Sequence, residues 1–172
     1  MTTQAVHSGS GKVLQALLLA LAMAAVVGTA LGFEHIGGYI PCALCLEQRT
    51  PYYLGVPVMI VAAIAAALKA PSLVTRALFV AGGGLMIYGA GLGVYHSGVE
   101  WGWWEGPADC AGAAGLTTDA GSLLSDLNAK KPPACNEAAL RVLGLSFAGW
   151  NVIASVVLAA ACLRFAFAGR AR

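Results

Sequence analysis

Four long stretches of this chain almost exclude charge, and that limits what it can fold into more than any other feature. They cover residues 13–33, broken only by Gln15, then about 48–68, 73–95 with Arg76 in its first turn, and 142–163. Each approaches or exceeds the roughly 20 residues that a helix needs to cross a bilayer. None shows the period-two alternation of barrel strands, and a helix satisfies its own backbone groups in lipid. With 59% hydrophobic and 10% charged residues over 172 positions, the chain has too little polar surface for a soluble domain. The expected fold is an all-α membrane protein: a single membrane domain over residues 1–172, built as a four-transmembrane-helix bundle.

Orientation follows from lysine and arginine near the helix ends. Lys12, Lys69, Arg76, Arg164, Arg170 and Arg172 share a side with both termini, whereas Arg49, Lys130, Lys131 and Arg141 lie on the other. The first group flanks short connections, which count most, so both termini are expected in the cytoplasm. Residues 34–46 and the long loop 96–141 are then outside. Run one is expected to be retained rather than cleaved as a signal peptide, since its apolar length exceeds the usual 7–15 residues of a signal core.

Within the runs, most polar and small residues read as packing devices. Ala16, Ala20, Ala24, Gly28 and Gly32 recur every four residues on the first helix, a spacing that lets helices approach closely. Gly82, Gly83, Gly84, Gly89 and Gly93 on the third allow either tight contact or room for a flat ligand. Pro57 is positioned to kink the second. Asn151, flanked by Ser146 and Ser155, needs a partner and is expected to face another helix. Cys162 reads as a small packing group. Trp101, Trp103 and Trp104 suit the headgroup region, and residues 116–127 carry leucines at helical spacing, as in a helix lying on a surface.

The remaining cysteines lie outside the runs. Cys42, Cys45, Cys110 and Cys135 all fall on the oxidising side under this orientation, where disulfides persist. Cys42 with Cys45 and Cys110 with Cys135 are the natural pairs. A ring of about 26 residues closed by Cys110 and Cys135 is worth roughly 3–4 kcal/mol, against roughly 2 for the CxxC ring. The small ring is therefore a poor staple but a good reagent. If helix two begins near Cys42, unpaired amide hydrogens and the helix dipole favour thiolate there. Arg49, four residues after Cys45, can support that charge, hydrogen-bond a carbonyl oxygen of a bound oxidant, or simply anchor the helix at the interface. A dithiol that turns over must pass on two electrons. CxxC is followed by Leu46 rather than the histidine of haem attachment, and no dinucleotide fingerprint is present, which leaves a membrane quinone. Zinc held by the four cysteines is a rival, weakened because Cys110 and Cys135 are not a tight pair; no metal site is expected.

Pro41-Cys42-Ala43-Leu44-Cys45 with Arg49 at the head of helix two, the second pair in a long outer loop and the four-helix layout together resemble the disulfide bond formation protein B (DsbB) family. The resemblance covers nearly the whole chain. It implies a multi-pass enzyme of the bacterial inner membrane, a protein-disulfide:quinone oxidoreductase with periplasmic cysteines that reoxidises a DsbA-like dithiol protein. The electron acceptor would be ubiquinone or menaquinone, and nucleic acid is not an expected partner. Cys110 and Cys135 match the loop pair that exchanges with the partner, Cys110 forming the mixed disulfide. Cys42 and Cys45 match the membrane-proximal pair, Cys45 facing the quinone as thiolate and Arg49 hydrogen-bonding it. His96, directly after Tyr95, resembles a family histidine near the quinone, with one residue fewer between tyrosine and histidine; the other reading is an ordinary interfacial histidine.

Two alternatives differ in kind. Vitamin K epoxide reductases also place a CxxC in a four-helix bundle beside a quinone, but with the loop pair first and the CxxC late. A non-enzymatic scaffold with structural disulfides would carry thiols inert in a quinone-linked assay.

Overall fold

A computed structural model describes residues 3–107 and 134–168. The described chain forms α1 (Thr3–His35), a short α2 (Ala43–Glu47), α3 (Thr50–Ala67) and α4 (Ser72–Glu100). A hairpin of two-residue strands, β1 (Arg141–Val142) and β2 (Leu145–Ser146), then leads into α5 (Phe147–Phe167). Four segments are long and apolar enough to cross a membrane: Ser10–His35, Ala43–Ala67, Ser72–Glu100 and Phe147–Phe167. Cys110, the leucine pattern at 116–127, Lys130 and Lys131 lie outside the described residues.

The bundle carries its bulky aliphatics outward. Leu14, Leu18, Leu21, Ile60, Ile64, Ile87, Ile153 and Val157 are exposed, while Ala16, Ala20, Met23, Met59, Ala62, Phe79, Met86 and Cys162 fill the interior. In lipid this pattern is stable because association rests on close packing and interhelical hydrogen bonds rather than on escape from water. α4 runs along α5, α1 along α3, and α3 along α4.

The glycines of α4 serve contact. A Cβ at Gly82 would lie 2.6 Å from the Met59 methyl, and one at Gly93 2.7 Å from Val152 Cγ2 and 3.2 Å from the Ala148 carbonyl oxygen. On α1 the small-residue stripe is used only in part: Ala16 and Ala20 are buried, but a Cβ at Gly28 or Gly32 would meet nothing within 4 Å. The buried face passes instead through Met23 and Val27.

Three boundaries matter for the site. The second span is interrupted: α2 closes after five residues, Gln48 and Arg49 form a turn, and α3 restarts with Arg49 as N-cap and Pro51 in its first turn. Pro57 lies inside α3, which continues to Ala67. The third helix runs past Tyr95 to Glu100, carrying His96 on a buried helical turn. It ends in a Schellman motif: Gly102 has φ +71°, its N–H bonds to Val99 O, and the Trp103 N–H bonds to Gly98 O.

The fourth helix begins at Phe147, capped by Ser146, whose hydroxyl accepts the Gly149 N–H at 3.3 Å. Residues 142–145, expected as helix, instead turn through Leu143 (φ 54°) and Gly144 (φ 82°). Two positive φ angles define a type I′ hairpin turn, in which leucine is a poor first residue. Leu143 is 90% exposed, so Leu143→Asn removes strain without losing contacts. It is expected to stabilise the chain by about 1 kcal/mol, visible as a higher thermal midpoint in detergent.

Candidate active site

The thiol pair sits on the α2 corner. Cys42 is the N-cap of α2, extended at φ −74° and ψ 170°, and its sulfur accepts the Cys45 N–H at 3.2 Å. The two sulfurs are 2.7 Å apart and share a hydrogen bond. Both are free thiols, as is Cys162 in the core, whereas Cys135 is disulfide-bonded. Because α2 is so short, individual N–H groups rather than a long helix dipole act on the sulfurs.

The CxxC faces two different environments. On one side Cys45 lines an apolar cavity of about 390 Å³ between the C-terminal end of α1, the N-terminal end of α5 and the α2–α3 corner. Val26, Ala30, Phe33, Ile40 and Trp150 form much of its wall, with Arg49, Gln48 and Asn151 among its few polar groups. On the other side Cys42, 4% exposed, packs in a small apolar cluster with Leu44, Val99 and the disulfide-bonded Cys135. A void of about 20 Å³ beside it is lined by Cys42, Cys45, His96, Glu100 and Glu137.

Of the residues expected to handle an acceptor, Cys45 and Arg49 line the large cavity and His96 does not. His96 Nε2 lies 3.7 Å from Cys42 Sγ, so the histidine addresses the thiol pair from behind. Arg49 forms an ion pair with Glu34 in the last turn of α1, a partner that sequence reading passed over as the start of a loop. The pair ties α1 to the corner and leaves other guanidinium donors available.

A polar chain hidden from sequence reading continues inward. Gln48 Nε2 is 2.6 Å from His96 Nδ1, Asn151 Nδ2 donates to Gln48 Oε1 at 2.7 Å, and Tyr52 OH donates to Asn151 Oδ1 at 2.8 Å. Tyr52 OH also meets Ser155 Oγ at 2.7 Å. Asn151 thus has the interhelical partners that its position demands. Gln48 was legible only as one amide in a polar gap; neither Tyr52 nor Glu100 carried a signal.

The Cys42 thiol is held well below the ordinary thiol range, to about 5. The hydrogen bond from Cys45 contributes most and burial opposes it, with His96 adding to the lowering. The sign is that of any acid whose anion is favoured: Cys42 stays ionised above about pH 5 and takes up its proton as pH falls through that value. Thiolate ultraviolet absorbance of the reduced protein, taken as a difference against Cys42→Ala, is expected to titrate near pH 5. An ordinary thiol would titrate near pH 8.5, and that result would remove the basis for an activated pair.

Four spans long and apolar enough to cross a membrane, a CxxC on the corner between two helices with one thiol acidified, and a disulfide-bonded cysteine in the same buried cluster suit a membrane disulfide oxidoreductase. The comparisons agree. The chain matches the family model of disulfide bond formation protein DsbB over residues 12–165 and belongs to that family. It is 25% identical over 160 residues to Uncharacterized protein RP370 of Rickettsia prowazekii (strain Madrid E), an alignment covering 92% of this chain and 89% of the relative. No solved structure matches it.

Proposed function

We propose that this protein reoxidises a periplasmic DsbA-like dithiol protein and delivers the electrons to a membrane quinone. The observation that carries the reading is the division of the CxxC: Cys45 lines the apolar cavity, while Cys42 does not and is buried in one cluster with the disulfide-bonded Cys135. Electrons arriving by thiol–disulfide exchange at one sulfur can leave from the other.

The cavity's size and lining fit a quinone head group with part of its tail, since sites for small ligands are mostly apolar with a few placed polar groups and span about 300–1,000 Å³. Arg49 would hold a carbonyl oxygen there, with Gln48 and Asn151 as the nearest amides. A quinone bound beside Cys45 would accept the electron pair released as the dithiol closes to a disulfide.

The other elements of the proposal concern the outer loop. Cys110 exchanges with the partner and pairs with Cys135, and the loop pair then reduces Cys42 and Cys45 through Cys135. Both termini lie in the cytoplasm, and residues 34–46 and 96–141 face the periplasm. Each exchange needs an attacking thiolate and an accessible sulfur. The burial of Cys42 and Cys135 in one small cluster supports this order.

The deciding experiment is quinone reduction by the purified protein in detergent, with a reduced DsbA-type protein as donor. Loss of quinone absorbance that requires both Cys45 and Cys110 supports the relay. No reduction with a competent donor and acceptor defeats it and favours a scaffold with structural disulfides.

A further inference from the structure

The polarity of the buried polar chain can be worked out from its ends, because backbone carbonyls accept hydrogen bonds and never donate them. Asn151 Nδ2 lies 3.2 Å from Gly89 O, so the nitrogen of that amide must point to Gly89, and its second N–H reaches Gln48 Oε1. Reversing Asn151 would set two oxygens against each other. Gln48 Nε2 in turn lies 3.4 Å from Leu44 O, which puts its NH₂ toward both Leu44 O and His96 Nδ1. His96 Nδ1 therefore accepts, and the imidazole proton is on Nε2.

That proton has two neighbours. Cys42 Sγ is 3.7 Å away, within reach of a hydrogen bond to sulfur, whereas Glu100 Oε1 at 3.8 Å is too far for one to oxygen. The Nε2–H thus belongs to Cys42. Cys42 Sγ receives two N–H groups, from Cys45 and His96, against the one backbone N–H, that of Cys42, which acts on Cys45 Sγ among the described residues. The proton shared by the two sulfurs consequently stays on Cys45, and the charge stays on Cys42.

We infer that Gln48 and Asn151 are positioning residues that lock His96 as an Nε2–H donor to Cys42, making Cys42 the thiolate of the reduced pair. His96 then acts on the thiols and not on the electron acceptor. The reduced CxxC holds one charge, facing Cys135, and one proton, facing the cavity. Cys42, Cys45 and His96 offer atoms within 4.8 Å of one another that could ligate a metal, but the lock places a proton on the nitrogen that a metal would need.

The inference rests on the pair being redox-active, but its test uses neither quinone nor partner protein, so it fails separately from the proposed function. The titratable groups facing Cys42 among the described residues are Cys45, His96, Glu100 and Glu137. Nitrogen-15 spectra of histidine-labelled reduced protein in detergent, assigned with His96→Phe, are expected to show a protonated Nε2 and an unprotonated Nδ1. In Gln48→Leu and Asn151→Leu the two tautomers are expected to mix.

In a Cys45→Ala background, which removes the neighbouring thiol, Gln48→Leu is expected to make Cys42 a roughly tenfold weaker acid by thiolate absorbance. Gln48→Glu should restore it: a carboxylate accepts from a protonated Nδ1 and still leaves Nε2–H on Cys42. A merely structural role would make Gln48→Glu as damaging as Gln48→Leu. An Nδ1–H tautomer in the parent protein, or a Cys42 titration unchanged by Gln48→Leu, would overturn the inference.

Discussion

Cys45→Ser is expected to lower quinone-linked turnover by on the order of 10³-fold or more, while leaving exchange with the loop pair able to begin. The asymmetry follows from the two environments of the CxxC. Cys45 lines the cavity and Cys42 does not, so removing Cys45 takes away the sulfur that can pass electrons to a ligand bound there. Cys42 remains buried beside Cys135. In the variant the Cys42 thiolate can still attack the loop disulfide at Cys135 and release Cys110 as a thiol, so with no second thiol to resolve it a Cys42–Cys135 disulfide is expected in protein isolated without reductant. Peptide mapping without reductant would detect that bond. Serine is close to cysteine in size and the substitution leaves Arg49, Gln48 and Asn151 in the mostly apolar wall, so quinone binding measured by fluorescence quenching should change little. Turnover above about one tenth of the parent's in Cys45→Ser would sink the assignment of Cys45 as the exit sulfur.

The largest expected effect on stability comes from Gly93→Leu. α4 and α5 approach closely here. Even a single Cβ would press Val152 at 2.7 Å, Asn151 Nδ2 at 3.1 Å and the Ala148 carbonyl at 3.2 Å. Two of those obstacles are backbone or a hydrogen-bonded amide, which yield less readily than the end of a flexible side chain. Overpacking of this kind costs about 1–3 kcal/mol per misplaced group and more for a whole isobutyl side chain. The thermal midpoint in detergent should fall sharply, and the displaced Asn151 should release Gln48 and with it His96. Gly84→Ala is the matched control, since a Cβ there meets nothing within 4 Å; it is expected to be neutral or to stabilise by up to about 1 kcal/mol through helix propensity. Equal melting of the two variants would mean that close α4–α5 contact is not what holds the bundle together.

Much of this was legible without coordinates. Charge exclusion over four runs set the number of membrane-length spans because lipid leaves the backbone few other choices. The CxxC stood out because a four-residue ring contributes little as a staple. Arg49 stood out as a permanent charge one turn beyond it. Boundaries were less legible wherever a local motif cut across hydropathy. Leu143-Gly144 turns a hairpin inside an apolar stretch, and the break at Gln48 and Arg49 separates two helices that hydropathy joins. In both places hydrogen-bond geometry decides, and apolar content carries no signal for it.

What the sequence by itself determined is the chemistry available: spans long and apolar enough for a membrane, a CxxC in the gap between two of them, a second pair of cysteines between the last two and a family pattern that unites them. Only the tertiary structure decided how that chemistry is divided. It turned Cys45 to an apolar cavity and Cys42 to Cys135, set Glu34 against Arg49 from 15 residues away, and placed His96 behind the thiols rather than in the cavity. It also joined Gln48, Asn151 and Tyr52, more than 100 residues apart at the extremes, into one directional chain. Such a chain has no local signature, because its direction is imposed by the carbonyls of Gly89 and Leu44, and those come within reach only when the helices pack.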